Sequence, residues 1–135
     1  MATATDILKQ YWGYSQFRPP QDKIIEAVLN KQDTVAILPT GGGKSICFQV
    51  PALMQDGICL VITPLIALMQ DQVKQLKQRG IPAVAVHAGM HHREVDITLD
   101  NCVYGQLKFL YLSPERLQTE LFKARVKKMK VNLVA

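Results

Sequence analysis

Thr34-Val-Ala-Ile-Leu-Pro-Thr-Gly-Gly-Gly-Lys-Ser45 is the stretch on which the fold turns. Its first five residues are apolar enough to read as a short strand. A glycine run follows, and from Lys44 the chain reads as a helix. A loop between a strand end and a helix start can aim successive backbone N–H groups inward, provided glycine gives it freedom and close approach. The helix adds its positive N-terminal end. Such a cup suits a polyphosphate, whose dense negative charge points in several directions. Lys44 would meet the β- and γ-phosphates, and the Ser45 hydroxyl would be a ligand for Mg²⁺. The general pattern G-x-x-x-x-G-K-[ST] places its first glycine at residue 38, which is Leu38 here. Gly41 and Gly42 supply the flexibility from inside the loop instead.

Outward from this loop the chain alternates. Asp6 can cap a helix over 7–12, and Pro20 opens a second helix over 21–30. Downstream, strands are predicted over 58–63, 83–87, 108–113 and 131–135. Helices separate them: from Pro64 to the glycine stop at Gly80, over 94–103, and from Pro114 to a basic run at 125–130. Strands without strict polar alternation, divided by helices, indicate βαβ units. The expected fold is α/β, a parallel sheet with helices on both faces. By motif the chain divides into N-terminal helices (1–32) and a nucleotide-binding domain (33–135). The last strand reaches residue 135 with no closing turn, so the domain is expected to be incomplete.

Bulk properties exclude several classes. With 135 residues, 48% hydrophobic and 20% charged, the chain is globular, not disordered. The net charge of +5 permits a polyanionic partner. Three cysteines, at 47, 59 and 102, form no C-x-x-C pair and sit in or beside apolar runs, as reduced buried thiols do. The N-terminus lacks the layout of a signal peptide, and the apolar stretch 58–69 is too short to span a bilayer. A soluble intracellular protein is expected, without a membrane. His87, His91 and His92 recur with no acidic or cysteine ligand at metal spacing and read as a strand end and a loop pair. Asp96 and Asp100 read as a solvated helix face, and the basic run 125–130 as cations at a helix C-terminus.

Upstream of the loop stands Trp12-Gly-Tyr-Ser-Gln-Phe-Arg-Pro-Pro-Gln21. An aromatic and a guanidinium can sandwich a purine, and a glutamine amide can pair with the N6/N7 edge of adenine. Packing into the core is the other reading of Tyr14 and Phe17.

Gly13-Tyr-x-x-Phe-Arg-x-x-Gln21 with Leu38-Pro-Thr-Gly-Gly-Gly-Lys-Ser45 resembles the amino-terminal motif and motif I of the RecQ family of ATP-dependent DNA helicases. Thr63-Pro-Leu-Ile-Ala-Leu-Met-Gln-Asp-Gln-Val73 is similar to motif Ia, and Leu112-Ser-Pro-Glu-Arg-Leu117 to motif Ib. Trp12 replaces the usual phenylalanine, and Thr63 and Ala67 replace serines common in motif Ia. The resemblance implies a P-loop NTPase (RecA-like) fold with ATP and Mg²⁺ as cofactors. Tyr14 and Arg18 would flank adenine and Gln21 would select it. Thr40, Gly41, Gly42, Gly43, Lys44 and Ser45 would hold the phosphates, Lys44 and Ser45 as the catalytic pair. Thr63, Pro64, Ser113, Pro114 and Arg116 would lie near the DNA backbone, where strand ends meet helix starts and free N–H groups can hold phosphate.

In such relatives the strand matching 131–135 leads into an Asp-Glu-Ala-His box, and a second motor domain follows. The implied parent is a 3′→5′ DNA helicase acting at single-strand/duplex junctions in repair and recombination, in the cytoplasm (the nucleoid, in a bacterium). The 135-residue chain alone is expected not to turn over ATP. Two other readings stay open: another superfamily 2 translocase such as an RNA helicase, and a non-catalytic nucleotide-binding interaction module.

Overall fold

The computed structural model describes residues 2–38 and 43–135. Its backbone contacts form two compact units, residues 1–55 and 56–135, each with its own core.

The first unit is helical. Helix α1 spans Ala4–Trp12, α2 Gln21–Leu29 and α3 Ile46–Leu53. The cap of α1 differs from expectation. Thr3 is the N-cap, its hydroxyl accepting the Asp6 N–H, while the Asp6 carboxylate accepts the Thr3 N–H. This reciprocal box satisfies two N–H groups that a helix start leaves open, which Asp6 alone would not do. The Thr3 hydrogen bonds hold the Asp6 carboxyl below its ordinary value. Gly13 ends α1 in the left-handed region, at φ 77°, and its N–H donates to the carbonyls of Leu8 and Lys9. Ile7, Ile25 and Val50, one from each helix, meet in the core, with Trp12, Phe17 and Leu53 packed around them.

The strand expected over 34–38 is absent. Residues 32–38 are irregular, and Val35 and Ile37 are 90% and 91% exposed. An apolar run becomes a strand only by pairing, and among the described residues no ladder reaches this run. The helix predicted from Lys44 begins two residues later, after a turn at Lys44 and Ser45.

The second unit bears out the α/β expectation. Strands β1 (Ile58–Ile62), β2 (Ala83–Val86), β3 (Phe109–Leu112) and β4 (Val131–Val134) lie in the order β2-β3-β1-β4, every pair parallel. The chain steps outward from β1 to β2 and then back through β3 to β4. Right-handed crossovers stepping in opposite directions place their helices on opposite faces. Helix α4 (Ile66–Gln78) accordingly covers one face, where Gln72 accepts a hydrogen bond from the Tyr111 hydroxyl at 2.7 Å. Helices α5 (His92–Tyr104) and α6 (Glu120–Val126) cover the other. There Ile58, Leu60, Val86, Leu110 and Leu112 pack on Val95, Leu99, Cys102 and Phe122. Pro114 opens a short 3₁₀ turn, Pro114–Gln118, not an α-helix, and α6 starts afresh at the Thr119 cap. The two breaks follow from proline at the first position and from the Thr119 hydroxyl accepting the Phe122 N–H.

Asp96 and Asp100 are not merely a solvated face. Arg125 Nη2 donates to Asp96 Oδ1 at 2.7 Å, and Nη1 lies 3.1 Å from Asp100 Oδ1, off the hydrogen-bonding direction. One guanidinium therefore pins α6 to α5. Both carboxylates stay about half solvated, as expected, but i,i+4 spacing shows which side chains share a face and not what packs against it.

Candidate nucleotide-binding site

Within the first unit, packing of α2 on α3 brings the two upstream motifs together. Gln21 opens α2 and is only 3% exposed. Its Oε1 accepts the Arg18 N–H at 2.9 Å, while its own N–H donates to the Arg18 carbonyl at 2.8 Å. This closed ring replaces the side-chain cap that Pro20 does not supply. The other end of the amide reaches across 22 positions of sequence: Nε2 donates to the carbonyl of Gly43 at 3.2 Å.

Gly43 is in the left-handed region, at φ 74°. A Cβ there would collide with Gln21 Nε2 and sit 3.4 Å from Arg18 Nη2. Both the backbone conformation and the close approach require glycine. Lys44 and Ser45 follow in the turn, Lys44 exposed and Ser45 half-buried. Helix bonds then begin at once, from Cys47 N–H to the Lys44 carbonyl and from Gln49 N–H to the Ser45 carbonyl. Cys47 Sγ also lies 3.7 Å from the Gly43 carbonyl, and burial pushes this thiol up.

Tyr14 and Phe17 part company. Phe17 packs against the helical core, as the alternative reading of this aromatic pair held. Tyr14 is 59% exposed, its ring accessible to a ligand. Thr40, Gly41 and Gly42 lie outside the described residues. Sequence reasoning missed the link from Gln21 to Gly43. The only hint was that glycine fills three successive positions when the loop pattern asks for fewer.

In the second unit the predicted residues gather on one edge. All strands are parallel, so their carboxyl ends coincide, and open α/β sheets place ligands outside that edge. The register pairs Ile62 with Leu112, which makes Thr63 and Ser113 next in line on adjacent strands. Thr63 N–H donates to the Leu112 carbonyl, and its hydroxyl accepts the Leu65 N–H at 3.3 Å. Pro64 and Pro114 are exposed. Ser113 is 1% exposed, its N–H bonded to the Val86 carbonyl. The Arg116 guanidinium is turned onto the protein: Nη2 donates to the carbonyl of His87 at 2.9 Å and lies 3.5 Å from that of Met90. Arg116 thus holds the loop between β2 and α5. His91 caps α5, its Nδ1 accepting the Arg93 N–H.

Residues 18–135 match the DEAD/DEAH box helicase family. The chain belongs to that family. Its sequence is 47% identical over 115 residues to the ATP-dependent DNA helicase RecQ of Synechocystis sp., covering 85% of this chain and 24% of that protein. It is 43% identical over 133 residues to the RecQ helicase of Haemophilus influenzae, covering 98% of the chain and 22% of that protein. With mouse ATP-dependent DNA helicase Q1 it shares 40% identity over 126 residues, 91% of the chain and 19% of that protein. The RecQ resemblance read from four motifs is upheld. The chain spans about a quarter of the length of the first of these curated relatives. Among the described residues of this chain, no helix is long and apolar enough to cross a membrane.

Proposed function

We propose that the chain is the ATP-binding part of a RecQ-type, ATP-dependent DNA helicase, a longer protein that couples hydrolysis to 3′→5′ unwinding in DNA repair and recombination. Residues 1–32 serve as the adenine-recognising segment and 33–135 as the beginning of the first RecA-like motor domain. The observation that carries this reading is the Gln21 Nε2–Gly43 carbonyl hydrogen bond, which joins the adenine motif to the phosphate loop within one packed unit. Relatives named as DNA helicases support the substrate.

Tyr14 and Arg18 bracket the adenine, and Gln21 distinguishes it from guanine. Lys44 holds the β- and γ-phosphates, aided by the N–H groups that open α3. The Ser45 hydroxyl, half-buried one residue on, is a hard oxygen donor suited to Mg²⁺, which neutralises charge on the triphosphate when bound. Thr63, Pro64 and Pro114 present a sheet edge to the DNA backbone, while Ser113, buried against the Val86 carbonyl, and Arg116, turned to the His87 carbonyl, keep that edge in shape.

Lys44→Ala in the full-length protein tests the assignment. Loss of one charge-stabilising group should cut the ATPase rate by about 10²-fold or more, with unwinding lost in parallel. Unchanged ATP affinity and unwinding would refute the site. Stimulation by RNA as strong as by DNA would refute the DNA reading alone.

A further inference from the structure

The flank of α4 facing the edge of the sheet holds a groove of about 480 Å³, lined by Gln70, Val73, Lys74, Lys77, Gln78 and Ala85. It lies within the second unit and shares no residue with the nucleotide site. The floor is apolar, with Val73 buried and Ala85 of β2 half-buried. Two ammonium groups one helical turn apart form the rim. Among the described residues neither Lys74 nor Lys77 forms an ion pair. The carboxylate that α4 itself offers, Asp71, accepts a hydrogen bond from Gln75 instead. The groove therefore carries uncompensated positive charge beside an apolar floor. Its far wall, β2, is an outer strand of the sheet and pairs only with β3 among the described residues. An outer strand presents unpaired N–H and C=O groups, a template for another strand.

We propose that this groove docks an extended acidic peptide segment of a partner protein, added alongside β2. Main-chain hydrogen bonds to β2 fix the peptide, and the side chains on its α4-facing side carry carboxylates to Lys74 and Lys77 while their methylene stems cover Val73 and Ala85. The amides of Gln70 and Gln78 suit a peptide backbone, since each can both donate and accept. A nucleic-acid strand fits less well, because no aromatic ring lines the groove to stack a base.

The test titrates the 135-residue chain with a fluorescein-labelled decapeptide of alternating glutamate and valine. A lysine–valine counterpart and a labelled oligothymidylate of equal length run beside it. The acidic peptide should bind saturably, and Lys74→Glu with Lys77→Glu, both exposed, should weaken it by about tenfold or more. Amide hydrogen exchange across residues 83–86 should slow when the acidic peptide is bound, which charge attraction alone would not cause. The proposal is overturned if the acidic peptide does not bind, if both peptides bind alike, or if residues 83–86 stay unprotected. It is overturned equally if the charge reversal weakens only the oligothymidylate, which would make the groove a nucleic-acid contact.

Discussion

Gln21 Nε2 donates to the main-chain carbonyl of Gly43 at 3.2 Å, so the first residue of α2 holds the residue just before Lys44. Gln21→Ala leaves the Gly43 carbonyl and the Arg18 N–H without this partner in a partly buried setting, at a cost of about 1 kcal/mol. Binding of a fluorescent ATP analogue should weaken together with the thermal midpoint. An unchanged midpoint with unchanged binding would show that the hydrogen bond does not matter.

Gly43→Ala meets two obstacles at once. Its φ of 74° disfavours any side chain, and the new methyl group would run into Gln21 Nε2. The backbone term alone is about 1–2 kcal/mol. Nucleotide affinity should fall further in Gly43→Ala than in Gly80→Ala. Gly80 is also left-handed, at φ 79°, but a Cβ there meets nothing within 4 Å. Equal effects on nucleotide binding would remove the special status of Gly43.

Burial pushes the Cys59 and Cys102 thiols up to about 12, against an ordinary value of 9.0. Between those values the unfolded chain sheds protons that the folded chain keeps. Their contribution is therefore complete below about pH 9 and disappears as pH rises toward 12, each thiol costing about tenfold in the folding constant per pH unit in that window. Urea titrations from pH 8 to 11 should show a steep alkaline loss of stability, flattened in Cys59→Ala with Cys102→Ala. A loss of the same slope in that double variant would assign it elsewhere.

Leu110 is fully buried in the central part of the sheet. Leu110→Ala should destabilise the second unit by about 2–5 kcal/mol. Arg125→Ala acts on the same unit at its surface, by freeing α6 from Asp96 and Asp100. Its effect should shrink as salt is added, whereas that of Leu110→Ala should not. Denaturant midpoints at low and high ionic strength separate the two, and a salt-insensitive Arg125→Ala would argue against the ion pair.

The parallel sheet was legible in the sequence because its signal is local. Runs such as Ile58–Ile62 and Phe109–Leu112 are apolar without alternation, since both faces are covered, and Gly80 marks its helix end by a backbone conformation few other residues adopt. The loop proposed to hold phosphate drew its reading from a like source: glycine, lysine and serine carry their chemistry in the residue type. Thr34–Leu38 carried the same apolar signal as the true strands, yet among the described residues it pairs with no strand. Hydrogen-bond partners across a sheet are a property of the whole arrangement, which no window of sequence contains.

The sequence by itself determined the element order, the covered sheet and the residue types of the nucleotide loop, because propensity, periodicity and glycine freedom act over a few neighbours. Only the tertiary structure decided that Gln21 holds Gly43, that Arg125 pins Asp96, and that Arg116 turns inward to His87. Each joins residues more than 20 positions apart, and their meeting follows from how helices and strands pack.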